Sequence, residues 1–154
     1  MMTIAETVQL WLNNSKAQII SNYDRDNMRA SGSFGKSLRV EVLEQSGTIK
    51  GTLFGANHSL FVDDGRGAGK QPLRSVILKW INDKNITPRD NISKDSLAFL
   101  IARKIGREGW RPKNRYPNGV ISSVINEKAI KELIGSLGAN VKVQARNDIW
   151  QSFA

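Results

Sequence analysis

The sequence predicts an α+β protein, and three observations carry that prediction. Residues 3–24 repeat apolar side chains every three or four positions, residues 38–53 switch to a period of two, and a helical period returns after Pro72. Together they describe a single domain over residues 1–154, with residues 146–154 as an extended C-terminal tail. A small, mainly antiparallel sheet is flanked by a long N-terminal helix and three further helices. A chain of 154 residues with 40% hydrophobic side chains is long enough to bury roughly 68–70% of its unfolded surface.

The first helix is marked by Ile4, Val8, Trp11, Ser15, Ile19 and Tyr23, with Leu12 and Ile20 widening the stripe. Thr3 and Glu6 have the spacing of a capping box. Residues 30–36 read as a mobile loop. Leu38, Val40 and Val42 then alternate with Arg39 and Glu41, a half-buried strand, and Ser46-Gly47 is a hairpin turn into Ile49, Gly51 and Leu53. Ser59 to Val62 is a candidate third strand, ended by Asp63-Asp64-Gly65.

Pro72 suits the first position of a second helix, whose apolar face is Leu73, Val76, Ile77, Trp80 and Ile81. Asn85 to Asp90 breaks it. Ser93 starts a third helix, with Ser96 a later candidate cap; Leu97, Leu100, Ile101 and Ile105 face inward, Arg103 and Arg107 share another face, and Gly109 is the stop. A fourth helix spans residues 119–137, and Val141 and Val143 alternate in a strand that returns to the sheet. Trp11 and Trp80 fall on apolar helical faces and are expected in the core.

Composition narrows the chemistry. With no cysteine, disulfides, thiolate metal sites and cysteine nucleophiles are excluded together. Met1 to Glu6 lacks the basic and apolar regions of a signal peptide, and no apolar run approaches the ~18 residues of a membrane span. A soluble protein is expected. The formal charge of +9 is concentrated: residues 1–64 carry six Lys/Arg against seven Asp/Glu, while residues 65–115 carry thirteen against four. Such a basic segment points to a polyanionic partner, nucleic acid being the commonest.

Motifs for catalysis fail on their own terms. Gly65-Arg-Gly-Ala-Gly-Lys70 resembles a phosphate loop, but a Walker loop requires Gly where Asp64 stands and Ser or Thr where Gln71 stands. A dinucleotide fingerprint requires Gly in place of Lys70. The segment reads instead as a flexible connection, or as a basic loop touching another subunit or passing DNA. His58 is the only histidine, too few for a zinc site or an HNH-type nuclease. It is expected as a partly exposed strand residue. A triad of Ser59, His58 and Asp63 is unfavourable because adjacent strand residues diverge. Asp63 and Asp64 are adjacent carboxylates without the further ligands of a metal-dependent nuclease, and read as a turn. No catalytic residue, metal or cofactor is expected.

The basic run Arg103, Lys104, Arg107, Arg111, Lys113 and Arg115 is stronger. It starts on a helix and enters a loop with Trp110 and Tyr116, aromatics that could stack on exposed bases. Alternatively it is a solvated face or meets an acidic protein surface. Trp150 and Phe153 lie in a tail too short for its own core, so docking on a neighbouring subunit or on their own domain is expected.

Residues 61–110 also resemble a known family. Phe61-Val-Asp-Asp-Gly-Arg-Gly-Ala-Gly-Lys-Gln-Pro72 is followed by Ile77 and Trp80-Ile81, then Ser96-Leu-Ala-Phe-Leu-Ile-Ala-Arg-Lys-Ile105 and Arg107-Glu-Gly-Trp110. The order is similar to the tail-completion, or head–tail connector (neck), proteins of tailed bacteriophages. In them a strand ends in a glycine-rich basic loop, followed by Pro, a Trp-containing helix and an "AFLIARKI" helix. The resemblance covers roughly a third of the chain and implies a curled sheet behind a long first helix. It also implies a homo-oligomeric ring of six or twelve copies between portal or adaptor protein and tail protein, with genomic DNA in the channel. On that expectation Arg66, Lys70 and the basic run face a partner or the DNA channel. The chain departs from the family at Arg111-Pro-Lys-Asn-Arg-Tyr116, where members often carry a short, apolar, Phe-bearing segment.

Overall fold

The computed structural model describes residues 2–113 and 119–138. The fold is α+β: helix α1 (Ile4–Arg25), short helix α2 (Ser33–Ser37), strands β1 (Arg39–Gln45) and β2 (Thr48–Phe54), a 3-10 turn (Asn57–Leu60), and helices α3 (Phe61–Asp64), α4 (Arg74–Asp83), α5 (Lys94–Glu108) and α6 (Glu127–Leu137). Among the described residues the sheet is a single antiparallel hairpin.

Helix α1 organises the larger core. Its capping box forms: Thr3 N–H donates to Glu6 Oε2 at 2.7 Å and Glu6 N–H donates to Thr3 Oγ1 at 3.2 Å, satisfying two otherwise orphaned donors. The predicted stripe is the buried one. Val8, Leu12 and Ile19 meet Phe34, Leu38, Leu53, Val62, Val120, Ile121 and Ile125, with Ile4, Trp11, Ile20 and Tyr23 packed around them. Each fully buried aliphatic side chain here stabilises by about 1.5–3 kcal/mol.

The hairpin keeps the expected register. Val40 pairs with Leu53 and Val42 with Gly51, so these residues share the face towards α1, and Gln45 pairs with Thr48 across the turn. Ser46 and Gly47 both have positive φ, 51° and 75°, as a two-residue turn matched to the strand twist requires. At Gly51 an added Cβ would stand 2.7 Å from Leu12 Cδ1 and from Val8 Cγ1. The missing side chain is what lets α1 cross this close to the strand.

Several predicted elements take a different form. Residues 33–37 are helical and not a loop, because Phe34 is buried and stacks on Tyr23 with ring centroids 4.2 Å apart. The segment Ser59–Val62 is not a strand. Its buried residues, Ser59, Val62 and Asp63, recur at three and four, a helical spacing that leaves Phe61 outside. His58 therefore sits exposed on the 3-10 turn. Pro72 precedes its helix: Leu73, with ψ 132°, is the N-cap and α4 begins at Arg74. The predicted 119–137 helix is broken at Asn126, an extended residue whose side chain caps α6 by accepting from Ala129 N–H at 3.0 Å. The predicted strand at Val141 and Val143 lies outside the described residues.

The turn before α6 is held by two buried polar side chains. Asp63, only 3% exposed, accepts from Ile121 N–H at 2.9 Å and from Ser122 N–H at 2.7 Å. Asn22, on the inward stripe of α1, donates to the Val120 carbonyl at 3.2 Å and to Ser123 Oγ at 3.1 Å. Gly119 completes the clamp, since a Cβ there would stand 2.7 Å from Asp63 Cγ. Buried polar groups are stable only when paired in this way.

A smaller core lies in the α4–α5 hairpin. Ile77 and Ile81 pack on Ala98 and Ala102, whose small side chains bring the helices close. Ser93 caps α5 by accepting from Ser96 N–H at 3.0 Å, and Gly109 ends it. Four residues of the expected apolar faces are not buried: Leu73, Val76, Trp80 and Leu100 are 69%, 57%, 38% and 41% exposed. The cluster buries only Ile77, Ile81, Ala98 and Ala102, so it does not extend to them.

Replacing Asp63 by Ala strands two buried backbone donors and is expected to lower unfolding free energy by about 2–4 kcal/mol. The exposed neighbour Asp64→Asn is expected to stay within about 0.5 kcal/mol of wild type. Urea unfolding of both variants checks the contrast.

Candidate partner-binding surface

The glycine-rich segment is a fastened junction and not a flexible connection. Arg66 and Trp110 exchange both backbone hydrogen bonds, 2.8 Å and 2.9 Å long, as an isolated antiparallel bridge. Gly69 N–H donates to the Gly106 carbonyl at 2.8 Å, and Arg66 Nη2 donates to the Lys70 carbonyl at 2.7 Å. The residues just before each bridge partner, Gly65 (φ 73°, ψ −160°) and Gly109 (φ 77°, ψ −168°), adopt a backbone region essentially closed to other residues. A Cβ on Gly65 would overlap the Trp110 carbonyl, and one on Gly109 would overlap the Arg66 carbonyl. These glycines serve close approach of two chains. Phosphate binding is not what requires them.

This junction sets the α4–α5 hairpin beside the end of α1 and opens a groove of about 910 Å³ between them. One wall is Tyr23, Arg25, Asn27 and Met28; the next is Phe61 and Val62 of α3. The opposite wall is Val76, Ile77, Trp80 and Lys84, and Ile105, Trp110, Arg111 and Lys113 close one end. Lys84 Nζ donates to the Asn27 carbonyl and ties the two walls together. Burial pushes the Tyr23 hydroxyl pKa up, Asp24 adds to the rise, and Arg29 partly opposes it.

The predicted basic residues separate into groups. Arg66, Arg111 and Lys113 line the groove, although the Arg66 guanidinium is committed to the loop carbonyl. Arg103, Lys104 and Arg107 lie exposed on α5 outside it. There the Arg103 guanidinium sits 5.6 Å from the Phe99 ring centroid, and Lys104 faces Glu108 at 3.8 Å, a solvent-screened pair of small energetic weight. Lys70 is exposed at the loop tip. Arg115, Trp150 and Phe153 lie outside the described residues.

Ser59, His58 and Asp63 do not assemble as a triad. Ser59 is fully buried, His58 is exposed, and both Asp63 oxygens accept from backbone N–H groups. No group of three or more His, Asp or Glu residues that could hold a metal ion occurs there, and no described helix is long and apolar enough to cross a membrane.

Groove residues that the sequence reasoning missed include Met28, Phe61 and Lys84. On α4 the sequence put Leu73, Val76 and Trp80 on one apolar face with Ile77 and Ile81. The exposures of the first three, 69%, 57% and 38%, show that the smaller core leaves this part of the face uncovered.

Gly109→Ala is expected to cost about 2 kcal/mol or more, from a forbidden backbone region and overlap with the opposing chain. Gly67→Ala, whose Cβ would meet nothing within 4 Å, is expected to be neutral within about 0.5 kcal/mol; thermal or urea unfolding distinguishes the two. Comparisons of the chain with protein-family models, with curated proteins and with solved structures found no match.

Proposed function

We propose that this protein is a non-enzymatic structural component of a tailed-bacteriophage virion, a head–tail connector or tail-completion (neck) subunit that forms a ring around the DNA channel. The observation that carries the reading is the uncovered apolar surface of the α4–α5 hairpin. Leu73, Val76 and Trp80 on α4, and Phe99 and Leu100 on α5, are exposed large hydrophobic residues on a unit whose buried residues number only four. Exposed apolar surface of this kind marks contacts with other chains. The segment also carries the ordered resemblance over residues 61–110.

In this reading the protein works through surfaces and has no catalytic residue, metal or cofactor. Copies assemble as a ring of six or twelve between a portal or adaptor protein and a tail protein. Arg66, Lys70, Arg103, Lys104 and Arg107, with Arg111, Lys113 and Arg115, contact a partner protein or face the DNA channel. Trp150 and Phe153 dock on a neighbouring copy. Assembly takes place in the host cytoplasm and the finished protein resides in the virion neck or tail.

A second reading rests on the exposed cationic face of α5: a basic DNA-binding protein acting free in the host cytoplasm. Salt-titrated duplex binding separates the two. Tight binding by the free protein with a steep salt slope favours this second reading, since phosphate contacts release counterions. For the virion reading, quantitative mass spectrometry of purified phage particles is expected to find a fixed copy number near six or twelve relative to a known capsid protein. Absence from mature particles contradicts it.

A further inference from the structure

We propose that the groove between the end of α1 and the α4–α5 hairpin is a docking site for an acidic, amphipathic segment of a partner protein. The inference stands independently of the virion assignment.

The groove combines two properties. Much of its lining is apolar and open: Phe61, Val76, Trp80 and Trp110 are 44%, 57%, 38% and 39% exposed, and Met28 and Ile105 also line it. It is also cationic, with five Lys/Arg side chains against one carboxylate, Asp26, among the described lining residues. Asp26 already pairs with Arg25 at 2.9 Å. Arg66 and Lys84 donate to neutral backbone carbonyls. Complementarity therefore selects an occupant that offers apolar side chains to the apolar lining and carboxylates to the cations.

A protein segment fits this pattern better than a nucleic acid does. Val76, Ile77, Met28 and Ile105 offer no donors to phosphates and are rewarded only by apolar burial. An amphipathic helix lays side chains at i, i+3, i+4 and i+7 into such a groove. The volume of about 910 Å³ lies at the upper end of the roughly 300–1,000 Å³ of ordinary binding clefts, so a few large anchors fill it.

The test is fluorescence anisotropy of the full-length protein with a fluorescein-labelled amphipathic peptide of about 18 residues, Leu on one face and Glu on the other. Its counterpart carries Lys in place of every Glu. The expected result is that the Glu peptide binds at least about tenfold tighter than the Lys peptide and weakens with added salt. Val76→Glu is expected to reduce Glu-peptide affinity about tenfold, and Arg111→Glu several-fold. Both positions are exposed, so urea unfolding should show folded variants. Equal binding of the two peptides, or unchanged affinity in both variants, overturns the proposal. So does displacement of the Glu peptide by a lower concentration of a thymidine oligomer, which would assign the groove to nucleic acid. Self-association of the protein that Val76→Glu abolishes in sedimentation would assign it to a second copy instead.

Discussion

Much of this structure depends on the backbone bridge between Arg66 and Trp110. The larger core around α1 and the smaller core between α4 and α5 have no buried residue in common. What fastens one to the other is largely main chain: the paired bonds of Arg66 and Trp110, the bond from Gly69 to Gly106, and the Lys84 strap to Asn27. Such bonds form only if the chains come within hydrogen-bonding distance, and Gly65 and Gly109 permit that by having no Cβ. The positions of Trp110 and Arg111 beside Gly65, and hence the groove they line, follow from this approach.

The larger core has its own polar constraint. Asp63 and Asn22 act on the turn through 120–123 from two elements, α3 and α1, and so tie the approach to α6 back to the N-terminal helix. A buried carboxylate is costly unless its oxygens are engaged, and here each accepts a backbone N–H. This makes Asp63 a structural carboxylate in a segment whose sequence invites a metal or catalytic interpretation. Its neighbour Asp64, pointing outward, makes no such contribution.

The sequence was most legible where one period ran long enough to define a face. The α1 stripe, the Thr3–Glu6 cap, the hairpin register around Val40 and Leu53, and the Ser93 start of α5 are all local consequences of spacing and capping chemistry. Short apolar runs were less legible. Ser59–Val62 is compatible with a strand until the contacts of Phe34 and Asp63 decide which residues turn inward. The glycines of 65–70 misled for a related reason, since flexibility and close approach require the same residue. Only the partner chain, more than thirty residues on in sequence, distinguishes them. Trp80 was misplaced because helical periodicity identifies an apolar face but not whether an element of the same chain covers it. On the candidate surface the basic residues were readable from composition, whereas their division between the groove and the outer face of α5 required the fold.

The protein presents chemistry on surfaces: an apolar stripe on α4, cations on α5, and a groove between two cores lined by apolar and basic residues. Surfaces of this type bind selectively when their supports are held in one geometry. Native-state hydrogen exchange of the Arg66, Gly69 and Trp110 amides, compared with core amides of α1 and α5, tests that coupling most directly. The account predicts that the three junction amides exchange with an opening free energy close to that of both cores, so that the junction opens only when the protein unfolds. Fast exchange at the junction beneath protected α1 and α5 amides would show two independently stable units and contradict the central claim.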